Sequence, residues 1–378
     1  MSFLDTEREV LEWLLPGLDA TLAAHPLARL ERPGSPAVAA FREAGGAGVL
    51  VPDRHGGLGA TPLEAVRLQR AVGARCPSLA VATTMHHFAV AGLVEAGRHG
   101  TGFEGMLLEA IVADDLLLAS GFAEGRTGQS FLRPGITARR RGANVLLNGS
   151  KKPCSLAHSM DVLAASVTTT DEDGTERLAL AFVPAQTPGV SVRPYWRSSV
   201  LAGAESEEVV LTDVVLDPQL VVLTDVSTGS SAPGPVHLAG FLWFQVLITA
   251  GYLGTAGALV ERVLRCGGGS AAERAALVTG LDAAMLAVEA VAREMGDTAE
   301  WGDPLLVKAL TARYAAQDAI ARATQGALAA LGGTAFLGSD EGTYLASAAT
   351  GLTFHPPARG RTAEALCAAL DGQALRIE

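Results

Sequence analysis

Apolar and polar positions follow three successive patterns along the chain, and each pattern predicts a different kind of element. Up to about residue 114, apolar residues recur at intervals of three and four between glycines and prolines, which is typical of amphipathic helices. Thr61 can cap a helix, Pro62 suits its first position and Glu64 completes a capping box. We therefore predict one helix from Thr61 to about Arg75 and a second over 79–96.

The middle of the chain, residues 115–228, has the pattern of a β domain. Short β-branched runs such as Val162–Val167 and Leu178–Val183 are separated by turn residues, of which Asn148-Gly149 is one example. Val190 and Val192 alternate with polar neighbours, as in a strand with one buried face. This pattern predicts a small antiparallel sandwich or barrel.

The last part of the chain, residues 229–378, returns to a helical pattern after a segment rich in Ser, Gly and Pro. An apolar stripe with spacings of threes, fours and sevens predicts a helical bundle. Its members are Val307, Leu310, Tyr314, Ala321, Leu328 and Leu331. The chain is thus predicted to be an α+β protein, with a helical domain in 1–114, a β domain in 115–228 and a four-helix bundle in 229–378.

Composition and charge limit the classes of partner. A net charge of −11 disfavours nucleic acid and anionic membranes, because both require a basic surface. Four scattered cysteines and no apolar leader predict a cytoplasmic protein with reduced thiols. Apolar runs such as Leu116–Ala119 are far shorter than the ~20 residues of a spanning helix, so no membrane contact is expected.

Several local motifs, in a shared order, resemble the acyl-CoA dehydrogenase superfamily over essentially the whole chain. Val51–Gly59 looks like the family's loop before a long helix, and Gly121–Glu124 with Leu147–Lys151 is similar to its flavin-lining strand and hairpin. Leu211–Pro218 resembles the strand that leaves the middle domain, and Ala330–Phe336 resembles a late helix end. The resemblance implies a flavin between the β domain and the C-terminal bundle, and a homodimer or homotetramer.

The family's catalytic carboxylate is missing from both places where its members carry it. His355, in Phe354-His355-Pro356-Pro357, stands where many members have a glutamate, and Phe244, followed by Gln245, stands at the other position. A histidine can serve as a base or a hydrogen-bond donor near neutral pH. The same phrase resembles the flavin monooxygenases of this fold, which place a histidine near the flavin. The alternative is that His355 only packs at a turn.

The flavin-contacting positions implied by the resemblance are altered as well. Ala123 replaces a threonine, Gln129 a serine and Pro153 a tryptophan, whereas Ser155 keeps a hydroxyl. Main-chain groups of Phe122 and Ala123 could still hold the flavin's pyrimidine edge. The stretch 265–270 lacks the arginine that reaches the flavin pyrophosphate in relatives, although Arg262 or Arg265 could replace it. The resemblance therefore implies FAD, with FMN or no flavin as alternatives.

Two pairs of adjacent residues are further candidates for a functional role. His86 and His87 are consecutive on a predicted helix and point about 100° apart, so no metal site is predicted. His87 is a candidate for contacting the substrate, together with Phe244 and Gln245, or else a core histidine. Lys151 and Lys152 could neutralise a phosphate, but they are interpreted as a surface pair beside a turn, which is the more common arrangement.

These observations support three hypotheses about activity. The leading one is a flavin-dependent oxidoreductase that acts on an acyl thioester of coenzyme A or an acyl-carrier protein. The first alternative is a monooxygenase on the same fold that uses reduced flavin from a partner, suggested by His355 and by the missing carboxylates. The second alternative is a non-redox protein that has lost the flavin site.

Overall fold

The N-terminal part of the chain is helical, as its periodicity predicts. The computed structural model describes residues 3–98, 102–125, 134–170, 174–227, 234–298 and 300–376. The helices of this part are α1 (Asp5–Leu14), α2 (Leu18–Ala23), α3 (Leu27–Leu30), α4 (Ala37–Glu43), α5 (Pro62–Arg75), α6 (Pro77–Ala96) and α7 (Phe103–Ala113). The predicted capping box is confirmed at α5: Thr61 Oγ1 accepts the Glu64 N–H at 3.3 Å, and the Glu64 carboxylate accepts the Thr61 N–H at 2.8 Å.

The middle part is one hydrogen-bonded sheet. Its strands are β1 (Leu118–Gly121), β2 (Thr137–Arg141), β3 (Asn144–Cys154), β4 (Val162–Thr170), β5 (Glu176–Pro184), β6 (Val190–Arg193), β7 (Glu207–Leu216) and β8 (Val221–Ser227). They lie in the order β6-β7-β3-β2-β4-β5-β8, and β1 pairs with β4.

The expectation of a purely antiparallel β domain was wrong at β4. This strand runs parallel to β1, with Leu118 opposite Val162, and its last residues run parallel to the start of β2, with Thr137 opposite Thr168. The residues Val162–Thr168 are all buried, which is the pattern of a strand covered on both faces and is typical of parallel pairing. The sheet is therefore mixed. The prediction of antiparallel strands rested on the turn residues and overlooked this long buried stretch.

The C-terminal part is again helical. It consists of α8 (Pro235–Cys266), α9 (Ala271–Asp297), α10 (Asp303–Gly338), α11 (Asp340–Ala349) and α12 (Arg359–Leu370). Helix α8 packs against α9, α10 and α11 on one side and against α5 and α6 on the other. Gly73 and Gly254 allow α5 and α8 to approach closely, because a Cβ on either would lie 2.1 or 2.0 Å from a carbonyl oxygen of the opposite helix. The first and last parts therefore share one core.

The apolar stripe predicted for α10 is only partly correct. Leu310 and Tyr314 are buried, but Ala321 is exposed. The buried face instead includes Arg313 and Ile320, and the helix is interrupted by the non-helical backbone of Gly332. A charged residue therefore lies in the middle of the buried face.

Within the described parts of the chain, three helices are long and apolar enough to cross a membrane, judged by length and composition alone: α6, α8 and α9. The expectation that no stretch reached this length was wrong, because it counted only runs uninterrupted by polar residues. Burial within the protein covers 72% and 89% of the most apolar windows of α6 and α8, but only 44% of that of α9. Packing thus accounts for the composition of α6 and α8.

Candidate active site

A cavity of about 620 Å³ lies where the sheet, α6, α8 and the turn before α12 meet. This volume is within the range of small-molecule and cofactor sites, roughly 300–1,000 Å³. The sheet side is lined by Phe122, Ala123, Glu124, Pro153, Ser155 and Ser206, the helical side by Phe88, His237, Phe241 and Phe244, and the C-terminal side by His355 and Arg361. Both the β domain and the last domain contribute walls.

The structure brings together most of the residues singled out in the sequence. Phe122, Ala123 and Ser155 lie on one wall, and Phe244 and His355 lie on the opposite side. Gln129 is outside the described residues. His87 and Gln245 are buried elsewhere and are not part of the wall of this cavity.

His355 is held in a fixed orientation at the C-terminal side of the cavity. Its Nε2 lies 2.9 Å from the Tyr252 hydroxyl, and its ring packs edge-on against Phe244 with 6.1 Å between centroids. Desolvation, together with the nearby Arg313 cation, lowers the pKa of His355 to about 3. The imidazole is therefore neutral at physiological pH and acts as a hydrogen-bonding group, not as a cation.

Arg313 of α10 organises the turn that carries His355, and it is not among the residues predicted from the sequence. The side chain is completely buried. One terminal nitrogen donates to the carbonyls of His355 at 2.6 Å and Leu352 at 3.1 Å, and the other donates to the Pro356 carbonyl at 3.1 Å and to Gln245 Oε1 at 2.5 Å. Burial lowers the pKa of Arg313 to about 10, so it remains a cation at neutral pH.

These contacts change the interpretation of Gln245. Its side-chain oxygen binds Arg313, so it supports the turn from behind and is not placed to contact a substrate. The signal that could have revealed this pair is a lone arginine three residues after Leu310, inside an otherwise apolar stripe. A charged residue on a buried helix face requires acceptors, and Gln245 and the turn carbonyls provide them.

The two consecutive histidines of α6 are core residues. His86 donates from Nε2 to the Ala47 carbonyl at 3.0 Å and accepts the Leu118 N–H on Nδ1 at 3.1 Å, which ties α6 to the start of β1. His87 packs against Phe41, with 5.7 Å between ring centroids, and is 1% exposed. The next residue, Phe88, is the one that faces the cavity, so the substrate contact proposed for His87 is not supported by its position.

Aromatic rings form a continuous row along the helical side of the cavity. Phe88 lies 5.4 Å from Phe122 and 5.6 Å from Phe244, measured between ring centroids, and Phe244 in turn contacts His355. Such rings provide flat, water-excluding contacts for a planar ligand. The row connects β1, α6, α8 and the C-terminal turn.

The interpretation of Lys151 as a surface residue was wrong. Its side chain is completely buried, and its Nζ lies 2.6 Å from Glu124 Oε1 and 3.2 Å from Ser166 Oγ. Burial lowers the pKa of Lys151, while Glu124 opposes that change. The strand β3 places alternate side chains on opposite faces, so Lys151 points inward while Lys152 reaches Glu208 at 2.7 Å.

The polar groups of the sheet side are largely paired with one another. Ser155 and Ser206 share a hydrogen bond of 3.0 Å between their hydroxyl oxygens. Glu124, the acidic residue among the described residues of the cavity wall, accepts from Lys151 and from the Gly135 N–H at 2.7 Å. The sheet side therefore offers hydroxyls, and its carboxylate is paired with a lysine, whereas Arg361 on the C-terminal side adds a positive charge.

Comparison with known proteins gives a consistent assignment. A family model described as "Acyl-CoA dehydrogenase, middle domain" matches residues 119–214. The chain is 43% identical to isobutylamine N-hydroxylase from Streptomyces viridifaciens over 380 residues, which covers all of both chains.

Solved structures share the fold over nearly the full length. The nitrososynthase from Micromonospora carbonacea var. africana matches with a TM-score of 0.81 and 21% identity, over 98% of this chain and 96% of that chain. FMN-bound TdsC from Paenibacillus sp. A11-2 matches with a TM-score of 0.79 and 19% identity, over 99% of this chain and 98% of that chain. These similarities confirm the order of helices, sheet and helices expected from the sequence.

Proposed function

The chain belongs to the acyl-CoA dehydrogenase superfamily, and from this membership we propose that it is a flavin-dependent monooxygenase that hydroxylates the nitrogen of a small amine. Full-length identity of 43% to an amine N-hydroxylase supports this assignment. It favours the monooxygenase alternative of the sequence analysis over the leading hypothesis of an acyl-thioester oxidoreductase.

The observation that carries the proposal is the absence of a free carboxylate from the described wall of the cavity. Dehydrogenation of a thioester requires a base that removes the proton next to the carbonyl. Glu124 is bound to Lys151, and His355 has a pKa of about 3, so neither is a competent base at neutral pH. Oxygen transfer to an amine nitrogen needs no such base, because the nitrogen lone pair is itself the nucleophile.

The sheet side of the cavity fits a planar flavin. Ser155 and Ser206 present hydroxyls, Phe122 and Ala123 bring the main chain to the wall, and the rings of Phe88 and Phe244 close the helical side. We propose FMN as the cofactor. Support comes from the FMN bound in TdsC and from the stretch 265–270, which replaces a longer family segment whose arginine the resemblance associates with a pyrophosphate.

The chemistry can be written as a balanced reaction. A reduced flavin supplies two electrons, so that one atom of O₂ enters a new N–O bond and the other leaves as water. R–NH₂, O₂ and reduced flavin thus become R–NHOH, water and oxidised flavin. In this scheme the aromatic row excludes water, and neutral His355, oriented by Tyr252, offers one hydrogen-bonding nitrogen to the reacting region.

The proposal is tested by following labelled oxygen. Purified protein is mixed with FMN, NADH, a flavin reductase and isobutylamine under ¹⁸O₂, and the products are analysed by mass spectrometry. We expect an N-hydroxylamine that carries one ¹⁸O atom, and no product when the reductase is omitted.

A matched reaction addresses the thioester hypothesis. The protein is reconstituted with FMN or FAD and mixed anaerobically with acyl-CoA thioesters of several chain lengths. Bleaching of the flavin by a thioester, combined with no oxidation of any amine, would show that the amine assignment is wrong. A protein that binds neither FMN nor FAD, measured by absorbance and by a shift in Tm, would rule out both flavin hypotheses.

A further inference from the structure

His237 lines the cavity but has no assigned role in the proposed reaction. It lies in the first turn of α8, and its side chain is 6% exposed. Together with Phe241 and Phe244, four and seven residues further along, it lies on the face of α8 that lines the cavity. One helix face therefore carries this histidine and part of the aromatic row.

The side chain of His237 lacks hydrogen-bond partners among the residues that the structure describes. Within them neither Nδ1 nor Nε2 has a partner, and both atoms are shielded from solvent. Two other polar pairs of the described wall are satisfied, Ser155 with Ser206 and His355 with Tyr252. Buried polar atoms without a partner are uncommon in native proteins and call for a reason, of which a bound ligand is one.

The surroundings keep the His237 ring uncharged. Burial lowers the pKa of His237 to about 4. The positive end of the α8 dipole, at whose first turn the residue lies, acts in the same direction. A neutral imidazole has one donor and one acceptor nitrogen, so it can accept a hydrogen bond from an N–H group.

We propose that His237 positions the substrate amine, accepting a hydrogen bond from its N–H and so selecting the uncharged form of the amine. This inference rests on the proposed function and names the ionisation state of its substrate. An alkylammonium ion releases its proton to solvent on entering the cavity, which leaves the nitrogen lone pair available for the N–O bond. Rotation of the imidazole about Cβ–Cγ, a broad torsion, brings a ring nitrogen to the ligand.

The charges around the cavity agree with selection of a neutral amine. The titratable and charged groups of its described wall are Glu124 and Tyr195 from the sheet side, His237 from α8, His355 from the C-terminal turn and Arg361 from α12. The described residues of α6 that line it are uncharged. The carboxylate among these groups is held by Lys151, so no free anion of the described wall is available to bind an ammonium ion.

The first test measures binding by calorimetry, with isobutylamine and the FMN-loaded protein in buffers of different ionisation enthalpy. We expect release of about one proton for each amine bound, and an affinity that rises about tenfold per pH unit between pH 7 and 9. Binding with no proton release would mean that the ammonium ion is the bound form, and the inference would be overturned.

The second test compares His237→Leu with His87→Leu, which removes an equally buried and unpartnered histidine that lies outside the cavity. We expect His237→Leu to raise KM for isobutylamine at least tenfold and to increase flavin oxidation without product. The Tm of this variant should stay at or above the wild-type value, because two unsatisfied nitrogens are removed. His237→Asn, which keeps an acceptor, should recover part of the affinity. His87→Leu should leave KM unchanged.

The outcomes separate this inference from the proposed function. Wild-type protein that binds isobutylamine with proton release but forms no hydroxylamine would overturn the function and leave the His237 contact standing. Conversely, a His237→Leu variant with wild-type KM and wild-type coupling of flavin oxidation to product would overturn the contact and leave the function standing.

Discussion

The hydrogen bond between Tyr252 and His355 can be removed by one substitution, which tests whether Tyr252 orients the imidazole. Tyr252→Phe removes one hydroxyl and keeps the ring, which is 2% exposed and packs 5.5 Å from the imidazole. The variant leaves His355 Nε2 without its partner at 2.9 Å, and hence free to rotate. We expect it to reduce the fraction of flavin oxidation that yields hydroxylamine, because the ring is no longer held in one orientation.

The size of the stability effect follows from the same contact. Loss of a bond between two neutral groups, with one buried partner left unsatisfied, costs about 1–3 kcal/mol. For a chain of 378 residues this corresponds to a fall in Tm of roughly 1–4 °C. Because burial is the first cause of the lowered pKa of His355, the pH dependence of turnover should change little.

Tyr314→Phe is the matched control. Its hydroxyl is buried, bonds to Thr362 and lies on α10 outside the cavity. We expect a similar loss of Tm in both variants, measured by calorimetry, but a loss of coupling only in Tyr252→Phe, measured as hydroxylamine formed per NADH consumed. Equal coupling in the two variants would refute the idea that Tyr252 acts by orienting His355.

Three further predictions concern buried charges. Arg313→Met should lower the free energy of unfolding by about 3–5 kcal/mol, measured in urea, because Gln245 and the turn carbonyls lose their donor; a loss below 1 kcal/mol would contradict this. Lys151→Met should cost a similar ~3–5 kcal/mol by leaving Glu124 uncompensated, and adding Glu124→Gln should restore part of it; no recovery would argue against the pairing. Desolvation raises the pKa of Glu31 above 4.5, so the folded state holds this proton more tightly than the unfolded state. The stabilising contribution of protonated Glu31 is therefore present below pH 4.5 and is lost as the pH rises through the folded-state pKa. Over that range the Glu31→Gln variant should become more stable relative to wild type, measured as the difference in Tm between the two proteins. A difference in Tm that stays constant with pH would disprove the shift.

Local signals in the sequence were sufficient for much of the fold. The structure has the helix predicted from the capping box at Thr61, and it has strands where the helical pattern gives way to β-branched runs. These predictions succeeded because capping and periodicity depend on residues close together in the chain. The parallel pairing of β4 with β1 was missed, since it joins residues more than forty positions apart, as with Leu118 and Val162. Such pairing depends on which buried strands meet in the core, and a single sequence does not encode it locally.

The site was predictable where a position matched a family motif, and not where long-range partners decide a residue's environment. Phe122, Ser155, Phe244 and His355 line one cavity. The environment of Lys151 was not predictable because its burial depends on acceptors supplied by other segments. For Arg313 the apolar stripe could have indicated burial, but not which carbonyls of the distant turn accept its hydrogen bonds. The two histidines of α6 show the same limit: adjacent residues point in different directions, and only the neighbours show that both belong to the core.

The absence of a free anion from the described cavity wall has a chemical consequence that links the altered residues to the proposed reaction. A carboxylate at the position of His355 or Phe244 would form an ion pair with an alkylammonium ion and hold its proton on the nitrogen. An amine in that state has no lone pair to form an N–O bond. In the described wall, His355 is neutral, Phe244 is aromatic and Glu124 is paired with Lys151. These groups therefore do not hold the amine in its protonated form. In the proposed reaction, the absence of the dehydrogenase base therefore also keeps the amine in the uncharged form that nitrogen oxidation requires.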